Sequence, residues 1–156
     1  MSKSSVLVLA LLILATVTVA VTRASAGSRL APGLHYVERG GGLKIVDNPP
    51  KARHPYDFSA GDLVIVTRQL DRPSGGRAGV LRLVCVATTP TSQHCSGAAT
   101  LAGGTLEFAG VSSPTRVTTV AVVGGTGAYA GARGTSTATD RAGSGDVADM
   151  VIRLER

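Results

Sequence analysis

The chain has 156 residues and a formal net charge of +6, falling to +4 once Lys3 and Arg23 are set aside with the leader described below. It has three tyrosines, two phenylalanines and no tryptophan. The basic excess is scattered and no aromatic sits among the arginines, which argues against a nucleic-acid-binding surface. No histidine pair has a ligand-like spacing, so no metal site is expected, and no G-x-S-x-G elbow marks a serine nucleophile.

Lys3 precedes an uncharged run from Ser4 to Thr22 that ends at Ala24-Ser-Ala26. This has the pattern of a secretory signal peptide cleaved after Ala26. The competing reading is an uncleaved anchor. Val6 to Val21 is short for a span of about 20 residues. Residues 1–26 are therefore set apart as a leader and 27–33 as a polar lead-in. Residues 34–156 form one domain, expected to be exported and free of the membrane after cleavage.

Within the domain the pattern is all-β. His35 to Glu38 and Lys44 to Val46 are expected as short strands about a Gly40-Gly-Gly42 turn. Pro49, Pro50 and Pro55 make Asp47 to Ser59 irregular. Strands are then expected over 62–70, 80–88, 94–101, 105–109, 116–123, 129–139 and 146–154, with turn residues between them. In the last of these, Ala148, Met150, Ile152 and Leu154 share one face. Strands at this spacing indicate a sandwich or barrel.

Cys85 and Cys95 lie symmetrically about Pro90. If their strands form a hairpin centred there, the two face each other, and an oxidising compartment favours a disulfide. The alternative is a pair of free thiols.

The segment Val120 to Gly134 contains Gly125-Thr-Gly127-Ala-Tyr-Ala130, a formal match to a dinucleotide-binding fingerprint. That motif needs a helix after the glycines. The residues that follow carry two more glycines and three threonines, with no apolar stripe at helical spacing. A strand–turn–strand unit is expected instead, with the glycines supplying turn geometry and no cofactor implied.

Three segments carry a family resemblance. Gly124-Gly-Thr-Gly-Ala-Tyr-Ala-Gly-Ala-Arg-Gly134 resembles the glycine-rich segment of allene oxide cyclases and of plant dirigent proteins. Gly61-Asp-Leu-Val-Ile-Val-Thr67 is similar to a cyclase strand, and Leu83-Val-Cys-Val86 to the strand that carries a cysteine in that family. The resemblance runs from about Leu34 to Leu154. It implies a closed antiparallel barrel of about eight strands with a central apolar cavity, often trimeric. Gly124, Gly125, Gly127, Tyr129, Arg133 and Gly134 would then be structural. In the family a glutamate polarises the substrate, and Glu38 falls near its position. Three other polar positions depart, falling on Gly40, Arg68 and Ser112 here, which argues against the specific allene oxide cyclase reaction.

The candidate catalytic residues are therefore Glu38 and Arg68. The expected function is a secreted barrel that binds a small apolar ligand, with a cofactor-free cyclase, isomerase or coupling-guiding activity if it is an enzyme. The alternative is a non-catalytic secreted structural or interaction barrel.

Overall fold

The computed structural model describes residues 33–48, 58–113, 115–143 and 146–155. The proposed leader, its cleavage site and most of the lead-in lie outside these residues, as does most of the proline-rich segment. The strands are β1 (Leu34–Val46), β2 (Leu63–Asp71), β3 (Arg77–Thr89), β4 (Ser92–Leu101), β5 (Gly104–Ser112), β6 (Val117–Gly125), β7 (Arg133–Asp140) and β8 (Val147–Glu155). Each pairs antiparallel with the next in sequence, and β1 pairs with β8, so the sheet closes into an eight-stranded barrel. Closure removes the exposed sheet edges that an open β-sheet would have to protect.

The alternation of β8 matches its burial: Ala148, Met150 and Ile152 are buried and point inward. The main core is at one end of the barrel, here called the base. Leu70, Leu101, Leu106 and Ile152 meet there, with Tyr36 and Tyr129 packed against them. The opposite end, the mouth, holds the β3–β4 turn, the β5–β6 loop and the β7–β8 connection.

Two expectations are corrected. The first concerns Gly40-Gly-Gly42, which does not turn the chain back. β1 is one continuous strand with a bulge between Arg39 and Gly41, and both sides of the bulge stay paired with β2. Gly41 has φ +117°, and a Cβ there would collide with the Thr67 carbonyl oxygen. The extra residue bends the strand without ending its ladder. β8 pairs with β1 only as far as Arg39, so the rest of β1 flares past β8 at the mouth.

The second concerns the strand expected from Tyr129, which begins only at Arg133. The link from β6 is a 3-10 turn, Gly127–Tyr129, in which Gly127 has φ +61°. Gly131 lies in this connection and does not interrupt a strand. The strand–turn–helix arrangement of a dinucleotide fingerprint is not formed.

Candidate functional site

The barrel interior is not filled. A cavity of about 270 Å³ runs from mid-barrel towards the mouth. Leu81, Phe108 and Met150, which belong to the main core, form its floor. Val66, Leu83 and Val120 form apolar walls. Higher up, Gln93, Ser112, Thr118 and Ser136 add neutral polar groups. The Ser112 and Thr118 hydroxyls are 3.4 Å apart.

The cysteines form part of the wall. Cys85 and Cys95 are directly opposed on β3 and β4, with Cα atoms 3.9 Å apart, and they form a disulfide. The hairpin places them so because Cys85, Ala87 and their partners keep one register about Pro90, while Thr88 is bulged out. A free cavity thiol is thereby replaced by a cross-link. Val64 and Phe58 pack against it.

Glu38 and Arg68 both line this cavity. Glu38 sits on β1 just before the bulge, opposite Leu70 on β2 and Ala148 on β8. It is 8 % exposed and makes no hydrogen bond or ion pair among the described residues. It is thus a cavity-wall acid, not a solvated strand-edge acid. Loss of water raises its pKa to about 7. Arg68 opposes the rise and Asp140 adds to it. Arg68, on β2, is opposite Gly41 of the bulge. Its guanidinium is 3.6 Å from the Asp146 carboxylate in the β7–β8 connection.

Asp140 and Asp146 complete the rim. Neither stood out as a site residue in the sequence. The signal was present in the alternation: Ser136, Ala138 and Asp140 share the inward face of β7, and the inward series of β8 begins two residues after Asp146. Among the described residues, the rim thus carries three carboxylates and one guanidinium above an apolar floor. Ser112, which also departs from the family pattern, lines the cavity as well.

The glycine-rich segment lies at the other end, away from this site. Gly124 and Gly125 end β6, Arg133 opens β7, and Gly134 is its second residue. Tyr129 leaves the turn to pack against the base of the core and beside Tyr36, whose hydroxyl pKa is pushed up to about 12 by burial and by Tyr129. Among the described residues, no group of three or more histidine, cysteine, aspartate or glutamate side chains is placed to hold a metal ion.

No family model and no curated protein sequence matches the chain. Solved structures do. A pyocyanin demethylase is similar with a TM-score of 0.65 at 21 % identity, over 79 % of this chain and 99 % of that one. The pterocarpan synthase dirigent protein GePTS1 is similar at 0.61 and 18 % identity, over 82 % and 84 %. This is the dirigent-like barrel fold. The Diels Alderase AbmU from Streptomyces koyangensis shares it, at 0.61 and 16 % identity, over 85 % and 71 %. A dirigent-like barrel presents an interior that side chains need not fill, and here the unfilled part is the one with the acidic rim. Among the described residues of this dirigent-like barrel, no helix is long and apolar enough to cross a membrane.

Proposed function

We propose that the protein is a secreted barrel that binds a small, mainly apolar molecule in this cavity and guides a cofactor-free cyclisation, isomerisation or coupling of it. The observation that carries the reading is Glu38, an acid 8 % exposed that projects into a largely apolar cavity and makes no hydrogen bond among the described residues. Partial loss of water disfavours the charged form of such a carboxyl, and an acid perturbed in this way in a cavity is a common feature of acid–base sites. A carboxyl with a pKa of about 7 can give or take a proton near neutrality. Arg68, across the bulge, would steady an oxygen that gains negative charge. The apolar floor and walls would hold a flexible substrate in one reactive shape, and orientation of that kind lowers a barrier without a cofactor. The structural neighbours include a demethylase, a dirigent protein and a Diels Alderase, which supports small-molecule chemistry in a barrel of this kind. The disulfide and the leader-like N-terminus support an oxidising, extracytoplasmic location.

Native mass spectrometry of the exported protein tests the reading. A co-purifying small molecule is expected in the wild type and lost in Ala138→Phe, which fills the cavity. A wild type that carries and binds no small molecule from its culture medium or from a panel of apolar probes would remove the reading.

A second reading has its own observation. The outer face of β2, β3 and β5 exposes Ile65, Val84, Val86 and Val111. Ile65 is paired with Val84, and His94 lies between Val86 and Val111. A contiguous apolar surface of this type suits contact with another protein or another copy of the chain. The family resemblance makes a homotrimer the expected copy number. Light scattering of wild type and Val84→Asp checks it: the variant should shift towards monomer.

A further inference from the structure

Among the described residues, those that line the cavity rim carry more negative than positive charge. Arg68 is the only cationic side chain among the described residues that line it, and its guanidinium is already matched by Asp146 at 3.6 Å. Asp140 is at the rim of the same cavity. Glu38 projects into it, 8 % exposed and without a hydrogen bond or ion pair among the described residues. Glu38 and Asp140 are opposite the same residue, Ala148, one on β1 and the other on β7. Two inward-facing positions that flank one strand are roughly 10 Å apart, at about 4.8 Å per strand. A ligand centre above Ala148 can therefore reach both carboxylates. Below it, the Phe108 ring and the Met150 thioether offer a polarisable floor suited to a flat ring.

We infer that the ligand is an apolar molecule with one cationic centre, such as a quaternised or protonated nitrogen on an aromatic ring, whose charge sits between Glu38 and Asp140. This rests on the small-molecule-binding reading above and narrows it. A neutral ligand would leave the two carboxylates facing each other across the cavity. An anionic one would add to their repulsion, which the single guanidinium of Arg68 does not offset against three carboxylates among the described lining residues. A cation relieves it and adds to the partial counter-charge that Arg68 gives Glu38.

The same geometry sets a pH dependence. Among the described residues, the charged groups facing Glu38 are Arg68 from β2, Asp140 from β7 and Asp146 from the β7–β8 connection; β8 contributes the uncharged Ala148. A cation beside Glu38 favours its ionised form. Binding therefore releases a proton near pH 7, and affinity for a permanently charged ligand rises as pH rises through about 7.

Titration calorimetry of the mature protein with three bicyclic probes tests the inference: N-methylquinolinium, neutral quinoline at pH 8, and quinoline-2-carboxylate. N-methylquinolinium is expected to bind about tenfold or more tightly than quinoline, with quinoline-2-carboxylate weakest. Its affinity should increase between pH 6 and pH 8, with proton release seen as a dependence on buffer ionisation enthalpy. Asp140→Asn, at an exposed position, should lower cation affinity and leave quinoline unchanged. Glu38→Gln should abolish the pH dependence, and Arg68→Gln should tighten the cation. Quinoline binding as tightly as N-methylquinolinium, with Ala138→Phe blocking both, would overturn the cation inference and keep the binding barrel. If none of the three probes binds, both fall.

Discussion

Glu38 is where local chemistry and fold are most closely coupled. Its carboxyl is protonated more readily in the folded chain than in the unfolded one, with a pKa raised from 4.5 to about 7. Between those values the folded state holds the extra proton, so stability falls as pH rises through this window and levels off above it. Glu38→Gln removes the ionisation. The variant should match wild type near pH 4.5 and exceed it at pH 8 by on the order of 2–3 kcal/mol. Urea unfolding midpoints at the two pH values check this, and parallel curves for the two proteins would contradict it. The cysteine pair acts at the same scale by a different route. Its bond closes a loop with a sequence separation of 10. Replacing both cysteines by alanine should cost on the order of 2–3 kcal/mol through the freer unfolded chain, read as a lower denaturant midpoint.

Among the elements, the connection between β6 and β7 shows what the glycine-rich segment is for. The Ala128 amide donates to the Gly103 carbonyl at 2.8 Å, and the Thr126 amide to the Thr105 carbonyl at 2.9 Å. The Thr105 and Thr126 hydroxyls are 2.7 Å apart. Two neighbouring turns, β4–β5 and β6–β7, are thus locked together at the base, with Tyr129 beneath the core. A side chain at Gly127 would meet the Gly103 carbonyl and force a φ of +61° on a residue that resists it. Gly127→Val should therefore lower the melting temperature by several degrees, corresponding to a loss of about 1–3 kcal/mol, whether or not NAD or ATP is added. Saturable nucleotide binding to wild type, lost in an equally stable Gly127→Val protein, would contradict this structural role. Legibility differed between the two glycine-rich stretches for a physical reason. Both signal positive φ, but whether the chain reverses or bulges depends on its partner strand. Here β2 pairs with residues on both sides of Gly40, and only the sheet shows that.

At the scale of the whole molecule, the closed barrel separates two tasks by its two ends. The base is packed with large apolar side chains, and the mouth holds the open cavity and the charges. A barrel of eight strands is near the size at which side chains either fill the interior or leave room for one small ligand. Export belongs to this scale too. Intact-mass analysis of the protein recovered from culture medium should find a chain that starts at Gly27. Recovery of only membrane-bound chain with Met1 retained would reject the leader reading.

Local sequence rules were enough for the all-β class, the position of most strands, the opposition of Cys85 and Cys95 across one hairpin and the turn character of the second glycine-rich segment. These follow from local rules: alternation with a period of two, turn residues at regular spacing, and the symmetry of two cysteines about one turn. The sequence also singled out Glu38 and Arg68, one through a family resemblance and one as a departure from it. Their surroundings came from the fold. Asp140 and Asp146 join Glu38 and Arg68 because β7 and β8 close the sheet back onto β1, a contact between residues more than 100 positions apart. The emptiness of the interior was undetermined for the same reason. Small and β-branched residues suit a filled barrel or an open one, and the choice depends on how all eight strands tilt and stagger together. The charge balance of the rim could be counted only once closure had brought those four side chains around one cavity.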